Sequence, residues 1–162
     1  MIKRTISKVN HFFAEMSGWL LSAIMFLLII DFVSRGLYRP IQGVGELAVF
    51  VLVTVVYLGI PHTEEVRGHV RVTAIIARFP IGLRKRINFI IYLITLITIA
   101  FVVYAVTQNA IKAFVTKEAV AGTVPLLVWP VKFVIVIGCI FYFFQIILNT
   151  IDELKKLKER NI

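Results

Sequence analysis

From Ile87 to Ile111 the chain runs for 25 residues without a charged side chain. As a helix this stretch is roughly 37 Å long, enough to cross a hydrocarbon core of about 30 Å with some tilt. Three further apolar runs accompany it. One spans Met16 to about Leu37 and is broken by Asp31 and Arg35; a second is Leu47 to Ile60; the last is about Pro125 to Ile151, with Lys132 inside it. Hydrophobic residues make up 59% of the chain and charged ones 17%, against about 45–50% and 25% in soluble domains. The excess apolar surface needs an apolar solvent. The expected class is an all-α integral membrane protein forming one domain, with four transmembrane helices at about 16–37, 44–62, 84–111 and 125–151.

The basic residues set the orientation. Thirteen of the 18 Lys and Arg lie in the N-terminal segment, the 61–86 connection and the C-terminal tail. Four spans put these three regions on one side, which the positive-inside rule makes cytoplasmic, termini included. A net charge of +9 therefore reads as an affinity for anionic lipid, with nucleic acid excluded as a partner. Trp19, Tyr38, Tyr92 and Trp129 fall near predicted span ends, where an aromatic belt places them.

Two segments read as interfacial. Ile2, Ile6, Val9 and Phe13 recur at helical spacing among Lys3, Arg4, Lys8 and His11, which predicts an N-terminal amphipathic arm over 1–15. Val72, Ile75, Ile76 and Phe79 do the same, predicting a short horizontal helix over about 70–79 that Pro80 and Gly82 end. Arg78, Arg84, Lys85 and Arg86 would face lipid head groups there.

Asp31 constrains the first span. Only about 22 Å of uncharged helix separates Glu15 from Asp31, too little to cross, so the carboxylate must enter the membrane. Such a burial costs about 2.5–3.5 kcal/mol without a partner. Three partners are open: Arg35 at i+4, Lys132 at a matching depth in the fourth span, or a residue of another subunit. Glu46 opens the second span, where a carboxylate complements the helix N-terminus and could also meet Arg35, Arg39 or a partner protein. Ala14, Gly18 and Ser22 form a small-residue stripe on a different face of the first helix from Asp31, so that helix offers two contact faces.

Catalytic and cofactor chemistry finds little support. His11 and His69 lie outside the predicted spans and His62 stands at the cytoplasmic end of the second, which excludes a haem held by two intramembrane histidines. The cluster "HTEEVRGH" matches no zinc spacing and reads as a solvated loop. Tyr104, Gln108 and Asn109 read as helix–helix hydrogen-bonding positions. The lone Cys139 forms no intrachain disulfide. No metal, cofactor or enzyme activity is expected.

The order of these features resembles the small membrane subunit (Q-type, DctQ-like) of tripartite ATP-independent periplasmic, or TRAP, transporters. "GELAVFVLVTVVYLGIPHTEEVRGHVRV", Gly45 to Val72, carries the resemblance: an acidic residue opening the second span, a Gly near its end, then Gly68, His69, Val70, Arg71 and Val72 in order. The Pro-rich "VPLLVWP" before the last span is also similar. Thr73 stands where many members carry an acidic residue.

The resemblance implies a multi-pass protein of the bacterial inner membrane. Its partners would be a large permease subunit of the M type, which moves solute by a sodium-coupled elevator motion, and a periplasmic solute-binding protein. The small subunit would extend the static scaffold. On that footing Asp31, Arg35, Glu46, Lys132, His69, Arg71, Gly18 and Ser22 are expected at structural or subunit contacts. The competing expectation is a self-sufficient homo-oligomeric transporter that carries protons on Asp31.

Overall fold

The computed structural model describes residues 2–37, 41–66, 81–122 and 124–158. Four helices make up its framework: α1 (Ile2–Gly36), α2 (Val44–Glu65), α3 (Ile81–Val115) and α4 (Trp129–Lys158). Each is long and apolar enough to cross a membrane. Among the described residues the extended pairing consists of a single bridge between Ala119 and Leu127. The horizontal helix expected over 70–79 lies outside the described residues, with His69, Arg71, Arg78 and Arg39. Arg84, Lys85 and Arg86 fall in the first turns of α3, their side chains also outside the described set.

The residues expected as an amphipathic arm and those of the first span form one unbroken helix, Ile2–Gly36. Gly18 alone does not break it, because a single glycine costs only about 1 kcal/mol in a helix. Its inward seam is regular: Asn10, Ser17, Ile24 and Asp31 are buried, seven residues apart. Phe13, Leu20, Leu27 and Ser34 are half-buried between them. This 3.5-residue spacing keeps one edge of a helix against its neighbour along its whole length. Gly18 and Ser22 lie off that seam and are exposed, and nothing comes within 4 Å of a Cβ built on Gly18.

α2 starts from Gly43, whose φ of 85° only glycine adopts freely, and a Cβ there would press on Val124 at 3.0 Å. The helix passes through the buried Pro61 and continues to Glu65. The expected end at 62, with His62, Glu64 and Glu65 in a solvated loop, is therefore corrected: all three are helical and Glu64 is buried. Pro61 has no N–H to give the carbonyl four residues earlier, that of Tyr57. The Tyr57 oxygen is met from α4 instead, where Gly138 comes so close that a Cβ would collide with it. The bare Cα lets two backbones touch in a medium where apolar packing alone separates good interfaces poorly from bad ones.

α3 closes with a Schellman motif. Glu118 N–H donates to Ala113 O at 3.1 Å and Lys117 N–H to Phe114 O at 3.4 Å, with Lys117 in the left-handed region at φ 49°. The chain then doubles back, with Val120 N–H on Leu126 O and Val128 N–H on Glu118 O, both at 2.9 Å. This pairing keeps 125–128 out of the last helix, so α4 starts at Trp129 and not near Pro125. Pro130 sits in its first turn, where a missing N–H costs nothing.

The helices pack in the order α1, α2, α4, α3, with α1 also touching α4 lightly. Only 6% of the apolar stretch of α3 is buried within the chain, against 28% for α4. Tyr92, expected at an interface, is buried, as are Ala110 and Ala113. The start of α1 and the ends of α2 and α4 share side-chain bonds and so lie at one end of the bundle. The α1–α2 and α3–α4 connections meet at the other, through Gly43 and Val124.

Candidate functional site

Polar side chains gather at the two ends of the bundle. At the connection end, Asp31 is 5% exposed. Arg35 Nε donates to its Oδ2 at 2.8 Å, and the Ile41 backbone N–H donates to its Oδ1 at 3.1 Å. The i, i+4 spacing puts the guanidinium over the carboxylate, acid first, and Arg35 falls in the last turn, where a cation suits the helix C-terminus. Asp31 thus ties the last turn of α1 to the entry of α2. Arg35 itself is 60% exposed along its side chain, so the ion pair is worth little in water; the bond to the backbone supplies the geometric constraint.

Lys132 does not reach Asp31. Because α4 starts late, Lys132 stands within its first turn, and its ammonium donates to Asn109 Oδ1 at 2.8 Å and to Glu118 Oε2 at 2.6 Å. The Schellman turn brings Glu118 back over α3 to receive it. Phe114, Trp129 and Phe133 pack edge to face around this point, with centroids 5.4 to 6.2 Å apart. Such aromatic clusters belong at a membrane–water boundary. Gln108, Asn109, Lys112, Thr116, Glu118 and Lys132 line an open cleft of about 590 Å³ here. Tyr104 points outward and is exposed.

Glu46 sits in the first turn of α2. A Cβ on Gly122 would come within 2.5 Å of its Oε1, so the carboxylate lies under the α3–α4 connection. Gly43, at the helix cap, makes no side-chain bond to the first turn. The Glu46 carboxylate instead adds a negative charge where exposed N–H groups point.

The terminal end holds a polar chain across three helices that the sequence did not reveal. Asn10 of α1 is fully buried and donates from Nδ2 to Gln145 Oε1 at 3.0 Å and to Glu65 Oε2 at 3.2 Å. Gln145 Nε2 reaches Asn149 Oδ1 at 3.4 Å, and Asn149 Nδ2 donates to Glu64 Oε1 at 2.9 Å. Gln145 and Asn149, one turn apart on α4, therefore face α1 and α2 together. His62 stacks with His11 at 5.6 Å between centroids. Its Nδ1 stands 3.9 Å from Glu65 Oε2, beyond hydrogen-bond range. A signal was present in the sequence: Gln145 and Asn149 are spaced by four inside an apolar run. The partners on α1 and α2 lie 85 to 135 residues away in sequence, and nothing local points to them.

These groups form fastenings between elements. No group of three or more metal-ligating side chains converges among the described residues. Hydroxyls along the spans close on their own helices, as with Ser17 on Phe13 O at 2.8 Å and Thr107 on Val103 O at 2.7 Å, which removes the cost of an unpaired donor in lipid. Residues 24–156, most of the chain, match a family model described as tripartite ATP-independent periplasmic transporters, DctQ component. A search of curated proteins finds no match.

Proposed function

The chain belongs to the DctQ component family of tripartite ATP-independent periplasmic transporters, and from that premise we propose that it is the scaffold subunit on which the large permease works. It is the small component of a multi-pass transporter, from a family of transport proteins and not of enzymes. In this reading it binds the large subunit in the bacterial inner membrane, both termini cytoplasmic. The assembly takes up a carboxylate-bearing solute, such as sialic acid or a C4-dicarboxylate, with sodium, after delivery by a periplasmic binding protein.

The observation that carries the scaffold reading is the state of Asp31. Both of its oxygens accept bonds from its own chain, one from Arg35 and one from the Ile41 backbone. A proton carrier needs a carboxylate that exchanges with water or cargo, so this arrangement favours a joint. The almost bare outer faces of α1 and α3, with Trp19 79%, Phe32 78% and Phe101 75% exposed, supply apolar surface for lipid and a large apolar partner. The exposed Gly18 and Ser22 on α1 allow a neighbouring helix to approach closely. Glu46, His69 and Arg71 are assigned to the same structural role.

Reconstitution tests it. The chain alone in vesicles should move no solute, and transport should appear with the large subunit and binding protein. Solute-driven proton flux by the chain alone, abolished in Asp31→Asn, would establish the self-sufficient transporter instead.

A further inference from the structure

The cleft at the connection end carries charges that the fastenings leave over. Lys132 is engaged by Asn109 and Glu118. Lys112, on the same wall, makes no side-chain bond or ion pair to any described residue. Glu118 is half-exposed, and its contact to Lys132 uses Oε2 alone. Among the described residues the cleft thus presents one unpaired ammonium, on Lys112, and one carboxylate oxygen of Glu118 outside the Lys132 contact, beside Gln108 and Thr116.

Its surroundings set the depth. The Phe114, Trp129 and Phe133 cluster borders it. Toward the middle of α3 from Gln108, at helical spacing, follow Tyr104, Phe101 and Ile97, which are 64%, 75% and 61% exposed. A polar cradle therefore opens onto a continuous apolar track along one helix face. A free peptide or sugar acid has no use for that track, whereas a two-tailed amphiphile matches both parts.

We infer that the α3–α4 cleft holds the head group of a phospholipid, its phosphodiester on Lys112 and a primary ammonium, of the ethanolamine type, on the Glu118 oxygen outside the Lys132 contact, with an acyl chain along Tyr104, Phe101 and Ile97. The phosphodiester answers the unpaired Lys112, and the ammonium shares the Glu118 carboxylate with Lys132. The inference rests on the reading that the bundle spans a bilayer. It assigns the cleft a lipid that would grip, from outside, the face of α3 that α4 leaves bare.

The test uses the full chain in nanodiscs of equal phosphatidylethanolamine and phosphatidylglycerol, transferred to mild detergent for native mass spectrometry. The wild type should retain phosphatidylethanolamine in preference. Lys112→Gln should lower the adduct about fivefold, as about 1 kcal/mol for a basic group at a lipid surface implies. Lys112→Arg should restore it and Lys117→Asn, outside the cleft, should leave it unchanged. Glu118→Gln should narrow the preference for phosphatidylethanolamine. An adduct indifferent to Lys112→Gln overturns the inference. So does binding of acyl-free glycerophosphoethanolamine as tight as that of the lipid, which would make this a polar solute site. Loss of capture of the periplasmic binding protein in Lys112→Gln, with the lipid adduct unchanged, would give the cleft to an acidic protein face and overturn it as well. Carbonate extraction of the wild-type chain reads the spanning premise separately: release from membranes sinks that premise, whereas a resistant chain with a Lys112-independent adduct sinks the lipid inference alone.

Discussion

The main-chain oxygen of Tyr57 is left without a helical donor by Pro61 and lies against the Cα of Gly138. A defect in the hydrogen-bond ladder of α2 and a missing side chain on α4 thus occupy the same spot, where a Cα–H···O contact can form.

Gly138→Ala should therefore force α2 and α4 apart. Backbone cannot rotate away as a long side chain can, so the expected loss is about 1–3 kcal/mol. Titration with a denaturing detergent, followed by circular dichroism, measures it. Gly18→Ala, with open space around it, should cost nothing in the isolated chain; a loss confined to the assembled transporter would mark that face as the contact with the large subunit.

Asp31→Ala removes the acceptor for the Ile41 N–H as well as the partner of Arg35. The unfolding free energy should fall by about 1–3 kcal/mol, the cost of leaving a buried polar group unmade. Asp31→Asn keeps an oxygen for Ile41 and should lose less. Arg35→Gln should lose least, because the guanidinium is mostly exposed.

Asn149→Leu removes the amide donor that meets the buried Glu64 carboxylate at 2.9 Å. Hydrogen bonds to charged groups contribute about 1.5–3 kcal/mol, so the single change should be strongly destabilising. Adding Glu64→Leu should recover part of the loss, since a matched apolar pair leaves no buried charge behind. A double-mutant cycle with no coupling would show that the two side chains act independently.

Lys132→Ala should hardly move global stability, because a partly exposed ion pair is worth about 0.2–1 kcal/mol. Its effect should be local. Hydrogen exchange should quicken in 116–128, where Glu118 anchors the returning strand, while α2 stays protected.

The four helices were legible because a membrane span announces itself by length and lack of charge, as Ile87 to Ile111 does. The Asp31–Arg35 pair was legible because four residues bring two side chains onto one helix face. The helix starts and stops were less so. α4 begins late because of backbone pairing across the 118–128 turn, and α2 runs past Pro61 because a neighbouring helix covers the freed carbonyl; both depend on tertiary context. The depth match of Lys132 to Asp31 requires α4 to begin near Pro125, and the start at Trp129 removes it. Of the Asn10, Glu64, Gln145 and Asn149 chain only the Gln145–Asn149 spacing carried a signal, because the other members, distant in sequence, each look like an incidental polar residue. Asn10, Ser17, Ile24 and Asp31 show the same limit: their sevenfold spacing joins three polar residues and one apolar one, a pattern that a search for apolar periodicity passes over.

The packing order α1, α2, α4, α3 makes the molecule two hairpins that touch mainly along one line, α2 on α4. A gene cut within the 67–80 connection would yield two pieces that each still enter the bilayer as a closed pair. Their reunion would depend on the glycine at that line and on three amides near the chain ends, with no covalent link required.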